Sequence, residues 1–151
     1  MKKIIAMVLV IVMMAAVLTG CGGNKELNVG VCQLMVHDSL DQATQGFADA
    51  LTAEAEKAGK TVNIDTQVAG EAGLCTTVIN TFTAKKVDLI MANATPALLA
   101  AANATTTIPV LGTSVTDYND TFAGTIPANV SGTSDAVPFE EQAQMMIDTL
   151  G

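Results

Sequence analysis

A chain of 151 residues with seven lysines, no arginine and 15 acidic residues carries a net charge of −8, which excludes a cationic surface for nucleic acid or phosphate-rich ligands. Half of the residues are apolar but only 3% are aromatic, enough for one buried core and too few rings for an aromatic-lined site.

Lys2 and Lys3 open the chain, and Ile4 to Leu18 is an apolar run shorter than the ~20 residues of a membrane-spanning helix. Leu18-Thr19-Gly20-Cys21 follows and resembles the bacterial lipobox, in which a small residue precedes a cysteine that is acylated and becomes the mature N-terminus. Residues 1–20 are therefore expected to be a lipoprotein signal peptide and Cys21 the lipidated, palmitate-bearing residue. Residues 21–26 then form a tether holding the chain on the extracytoplasmic face of the cell membrane. An ordinary secretory leader or an N-terminal membrane anchor is the alternative. Loss of Lys2 and Lys3 with the leader leaves five lysines against 15 acids, a net charge of −10. The remaining 27–151 is one domain's worth of chain.

Leu27 to Leu34 predicts the first strand, with Leu27, Val29 and Val31 alternating before Cys32-Gln33-Leu34. Asp38 or Ser39 caps the next helix, where Leu40, Ala43, Phe47, Ala50, Leu51 and Ala55 recur at helical spacing until Gly59 stops it. Val62, Ile64 and Val68 alternate with Asn63, Asp65 and Gln67, the pattern of a half-exposed strand at a sheet edge. A second helix runs from about Glu71 to Lys86 and turns Leu74, Val78, Ile79 and Phe82 inward. Asp88 to Ala92 reads as a strand buried on both faces. Thr95 is then the expected N-cap of a helix with Pro96 in its first turn and Ala97 to Ala102 propagating it. Pro109 to Leu111 is the fourth strand, ending in Thr113-Ser114-Val115-Thr116. After Tyr118 come a candidate short strand at Phe122 to Thr125 and a loop from Asn129 to Asp135. The last helix, Pro138 to Leu150, has Phe139, Ala143, Met146, Ile147 and Leu150 on one face.

This alternation predicts an α/β fold, a doubly wound parallel sheet of order 2-1-3-4 with right-handed crossovers. The winding reverses between strands one and three, opening a crevice between Gln33 to Asp38 and Asn93 to Thr95. A ligand carboxylate there would meet the hydroxyls of Thr95, Ser114 and Thr116 and a helix N-terminus. Asp117 either meets a ligand ammonium or caps the following turn. The only histidine, His37, is a ligand contact, a gate or a plain loop residue; a catalytic base would need a nucleophile and an orienting group nearby, and the adjacent Asp38 is expected to be engaged with the helix. Lys57, Lys60, Lys85 and Lys86 fall at helix C-termini, away from the crevice. Cys32 and Cys75 lack metal or redox spacing, so buried thiols are the default and a disulfide in an exported protein the alternative. No phosphate loop or nucleophile elbow is present, so no catalytic residue, cofactor or metal is expected.

Val29 to Leu34, Leu40 to Phe47, Met91 to Leu98, Pro109 to Tyr118 and Asn129 to Asp135 together resemble the ABC-transporter substrate-binding lipoproteins of the tryptophan/tyrosine uptake type. The resemblance covers Leu27 to the end of the chain, block by block in order. It implies one lobe of a type I periplasmic-binding-protein fold, in which two α/β lobes close on a ligand and present it to a membrane permease. It also implies that Gln33, His37, Asn93, Ala94, Thr95, Ser114, Val115, Thr116 and Asp117 line the cleft for an amino-acid-like, perhaps aromatic, ligand. Two departures stand out. The loop reads His37-Asp38-Ser39-Leu40 where the family has a proline or small residue after the histidine. The chain also ends at Gly151, after the helix that leads into the second lobe, whereas family members are roughly twice as long. The expectation is therefore a first lobe alone, binding ligand weakly or not at all. The rival readings are a sugar- or effector-sensing lobe of the same type and a non-catalytic surface lipoprotein.

Overall fold

β-Branched and apolar runs separated by capped helices build one parallel sheet in the computed structural model, which describes residues 26–136 and 138–150. The leader and Cys21 with its expected lipid lie outside the described residues. The strands are β1 (Leu27–Gln33), β2 (Val62–Val68), β3 (Leu89–Asn93), β4 (Val110–Val115) and β5 (Val130–Ser134), in the order β2-β1-β3-β4-β5. All four neighbouring pairs are parallel. The helices are α1 (Asp38–Lys57), α2 (Ala72–Lys85), α3 (Thr95–Ala104), the single turn α4 (Tyr118–Thr121) and α5 (Phe139–Leu150).

The order 2-1-3-4 is as expected, and a fifth strand extends it. Asn129 to Asp135, expected as a loop, supplies that strand, whereas Phe122 to Thr125, expected as a short strand, forms none and is a turn over 122–124. Val-Ser-Gly-Thr-Ser carries one buried apolar side chain, Val130, so its sequence has no hydrophobic period to read. Backbone pairing with β4 makes it a strand.

The two faces of the sheet are covered unequally. Cys32, Ile90, Ala92 and Val110 point to one side and pack with Cys75, Ile79 and Phe82 of α2 and Ala97, Leu98 and Ala101 of α3. Gly30 belongs to this side because a Cβ there would lie 2.5 Å from the Phe82 ring. Val29, Val31 and Met91 point to the other side, under Phe47 and Leu51 of α1. Burying each such Phe, Leu, Ile or Val contributes about 1.5–3 kcal/mol.

Charges follow the helix dipoles. Asp38 and Asp41 lie in the first turn of α1, Glu140 and Glu141 in that of α5, and Lys57 and Lys85 in the last turns of α1 and α2. Lys85 also reaches Asp65 of β2 at 2.7 Å. No helix among the described residues is long and apolar enough to cross a membrane.

Candidate functional site

The carboxyl ends of β1, β3 and β4 are set side by side by the register, with Gln33 opposite Asn93 and Asn93 opposite Thr113. Beyond this row the backbone hydrogen bonds continue from Leu34 N to Asn93 O and from Ala94 N to Thr113 O, at 3.2 and 2.9 Å. The crevice expected between strands one and three is therefore a continuous edge of three strands.

Gln33 and Asn93 are 2% and 0% exposed, and their side chains are engaged within the fold. Thr44 of α1 joins them: its hydroxyl donates to Gln33 Oε1 at 2.6 Å and accepts from Asn93 Nδ2 at 2.9 Å. Asn93 Nδ2 also donates to Leu40 O at 2.8 Å, and Gln33 Nε2 donates to Met35 O and to Asp41 Oδ1. Buried amides held by several hydrogen bonds fix position, so this cluster locks the first turns of α1 against the ends of β1 and β3. Asn93 Oδ1 is buried without a partner. Thr44 was not among the expected site residues. The available signal was a hydroxyl set beside Leu40, Ala43 and Phe47 on the inward stripe of the helix.

His37 is the N-cap of α1, in place of the expected Asp38 or Ser39. Its backbone is extended and its Nδ1 accepts from Ser39 N at 3.3 Å, because the helix begins one residue earlier than its aspartate and serine suggest. The ring is exposed, at the lip of the edge. At the next strand end, Ala94 replaces the expected Thr95 as the N-cap of α3, which puts Thr95 and Pro96 inside the first turn. Alanine has no capping oxygen, and no side chain caps this helix, so the first-turn N–H groups of Thr95 and Ala97 have no intrahelical or side-chain partner there. A helix N-terminus in this state suits an anionic group.

Ala94 holds φ 91° and ψ 154°, a region that only glycine enters freely. Ser114 follows Thr113 with φ 55°, also left-handed. Two strained non-glycine residues thus sit at the ends of adjacent strands. The fourth strand runs on to Val115, so Ser114 and Val115 lie within it and not after it. The Val115 side chain is fully buried in the core. Thr116 and Asp117 follow, both exposed. Asp117 caps α4, its Oδ1 accepting from Asn119 N at 2.7 Å and Asp120 N at 3.0 Å, and Ser134 Oγ donates to Thr116 O at 2.6 Å. His37, Thr95, Ser114 and Thr116 thus all lie at the carboxyl-end edge with side chains at least partly exposed, while Gln33, Asn93 and Val115 are buried there.

The cysteines take no part. Both are buried free thiols; burial, with the Cys75 thiol alongside, pushes Cys32 up to about 12, and burial raises Cys75 as well. Among the described residues no group of three His, Cys, Asp or Glu side chains is arranged to hold a metal ion.

Comparison with known proteins places this geometry. The profile of the ABC transporter substrate binding protein family matches residues 28–150. A tyrosine-binding protein of Clostridioides difficile is 34% identical over 96% of this chain and 48% of its own length. A substrate-binding protein with adhesive properties from Clostridium difficile, solved in a ligand-free, open form, superposes with a TM-score of 0.73 at 35% identity, covering 81% of this chain and 43% of that one. An ABC domain from Streptococcus pneumoniae in complex with L-Trp gives a TM-score of 0.70 at 31% identity, again over 81% of this chain and 43% of the other. The chain spans about half the length of these relatives. With its five-stranded parallel sheet arranged as in one lobe of a type I periplasmic binding protein, the chain belongs to the family of ABC transporter substrate-binding proteins.

Proposed function

We propose that this chain is the first, ligand-facing lobe of an amino-acid receptor for an ABC importer, held outside the cell by lipid on Cys21 and delivering its ligand to a membrane permease. The observation that carries this reading is the uncapped N-terminus of α3 beside Ser114, at the one edge where two strand ends are strained. Strain of this kind costs about 1–3 kcal/mol per residue and persists where a ligand clamp requires it. In this reading the α-carboxylate of the ligand takes the Thr95 and Ala97 N–H groups with the Thr95 and Ser114 hydroxyls. Thr116, Asp117 and His37 border the rest of the ligand, and Gln33, Asn93 and the Val115 backbone hold the wall in place. The tyrosine- and tryptophan-binding relatives support an aromatic amino acid as the ligand class. The wall itself offers hydroxyls and amides, so contacts to a ring belong to the facing lobe.

One wall cannot enclose a ligand, because hinge closure needs two. Isothermal titration of this chain with tyrosine, tryptophan and branched-chain amino acids is expected to give no saturable heat at micromolar ligand. Micromolar affinity would refute the half-cleft reading. Mass spectrometry of the membrane fraction is expected to find diacylglycerol on Cys21; an unmodified, secreted chain would refute the anchor.

A further inference from the structure

Cys32 and Cys75 stand 43 positions apart in the chain and meet in one core. Cys32 is the residue before Gln33 in β1, and its side chain points to the face that α2 covers. Cys75 lies in the first turn of α2 with its side chain turned inward. The connection between β2 and α2 brings the two together. β2 pairs with β1 along its whole length, with Gln67 opposite Cys32. Ala69 N and Gly70 N extend that pairing by donating to Gln33 O and Leu34 O, each at 2.8 Å. α2 begins two residues later, so its first turn is laid back onto the end of β1. Both cysteines are 0% exposed, and the Cys75 thiol is near enough to act directly on Cys32. Cys75 Sγ also reaches Glu71 O, at a long 3.8 Å. Thiols with such weak partners lose little by giving up their hydrogens.

We propose that Cys32 and Cys75 are a disulfide pair that closes while the chain folds, before α2 seals against β1, with a small-molecule disulfide or a disulfide-exchange enzyme as the oxidant. One cysteine thiolate of the open chain attacks the oxidant's S–S bond, giving a mixed disulfide and releasing one thiol. The second cysteine attacks the protein sulfur of that mixed disulfide and releases the other. Two protein S–H bonds and the oxidant's S–S bond are broken, one protein S–S bond and two S–H bonds on the oxidant are formed, and the two electrons leave with the oxidant. Burial sets the timing. Exchange needs a thiolate and a clear approach, and in the folded lobe both thiols are held protonated out of contact with solvent. A chain folded without oxidant therefore keeps its thiols, and a chain folded with it keeps its bond. Slow access in the folded state runs through the start of α2, where Glu71 makes no capping hydrogen bond and lies between Gly70 and Gly73. The bond ties β1 to α2 directly behind Gln33 and stabilises mainly by restricting the unfolded chain. The extracytoplasmic setting of the proposed function is where such a bond persists. Its chemistry is independent of the ligand reading.

The test takes residues 26–151, which hold the whole sheet and core and no third cysteine, reduces and unfolds them in urea, and refolds them in mixed reduced and oxidised glutathione. The refolded lobe is expected to weigh about 2 Da less than the reduced chain, to show no titratable thiol after denaturation and to yield a peptide joining Cys32 to Cys75. Its melting temperature should rise by about 10 °C or more. The lobe folded first in reductant and then moved to the same buffer is expected to oxidise at least ~100-fold more slowly. Cys75→Ala should gain nothing from the oxidising refolding. Refolded chains that retain two thiols, or carry glutathione on one cysteine, would overturn the proposal. So would a linked form that melts no higher than the reduced one, or equal oxidation rates for the folded and unfolded lobe.

Discussion

Thr44 illustrates how much of the edge rests on one hydroxyl. Its hydroxyl is hydrogen-bonded to the side chains of both Gln33 and Asn93, and it reaches them from a different element. Thr44→Val keeps the shape but leaves Gln33 Oε1 without that donor, so urea unfolding should show a loss of about 1–3 kcal/mol. A loss under ~0.5 kcal/mol would mean the cluster does not lock the helix. Ala94 behaves in the opposite sense. Glycine accepts φ 91° without strain, so Ala94→Gly should gain about 1 kcal/mol by the same measurement even though glycine costs more chain entropy. A loss would show that the Ala94 methyl outweighs the strain. Neither effect could be read from the sequence. A threonine inside a helix stripe does not declare its partners on two strands, and Thr95-Pro96 imitates a cap so well that the alanine before it goes unnoticed. His37 was legible as a residue of the lip but not as a cap, since imidazole is a rarer N-cap than the aspartate and serine beside it.

Elements were legible where burial imposes a period. β1, β2 and β3 lie within a residue of their expected bounds because alternation or a solid apolar run marks them. The edge position of β2 followed from its polar alternate residues. β5 was illegible for the complementary reason: it is an edge strand with one inward side chain and a glycine at φ 154° whose Cβ would fall 2.1 Å from Gly112 O. Packing against Gly112 and the Tyr118 hydroxyl, not propensity, shapes it. Between elements, Lys85 of α2 and Asp65 of β2 form a tie that titrates in acid. The hydrogen bond from Lys85 holds the Asp65 carboxyl below its ordinary value of 3.8, against burial and with help from Gln67. A lowered folded value means stability present above the unfolded value and lost as pH falls through the folded one. Both side chains are substantially exposed, so the contribution is at most about 1 kcal/mol. Lys85→Met should therefore be slightly less stable than wild type at neutral pH, and the two urea midpoints should converge as pH falls through the lowered value of the Asp65 carboxyl. A difference that persists in strong acid would assign the effect to packing of the lysine stem.

At the scale of the molecule, the order and polarity of the first four strands follow from a few local facts: one half-polar strand, three crossovers and lysines gathered at helix ends. These sufficed to place the carboxyl ends of β1, β3 and β4 side by side. The central claim is that the strand-end edge, with α3 pointing its N-terminus outward, is the wall a small amino acid meets. Amide NMR of residues 26–151 titrated with millimolar tyrosine or tryptophan tests it directly, since weak contact with half a cleft still moves resonances. The account predicts shifts concentrated at Thr95, Ala97, Ser114 and Thr116, with a smaller response at His37. Shifts at the opposite end of the strands, around Asn28, Asn63 and Lys85, or none up to the solubility of the ligand, would contradict it.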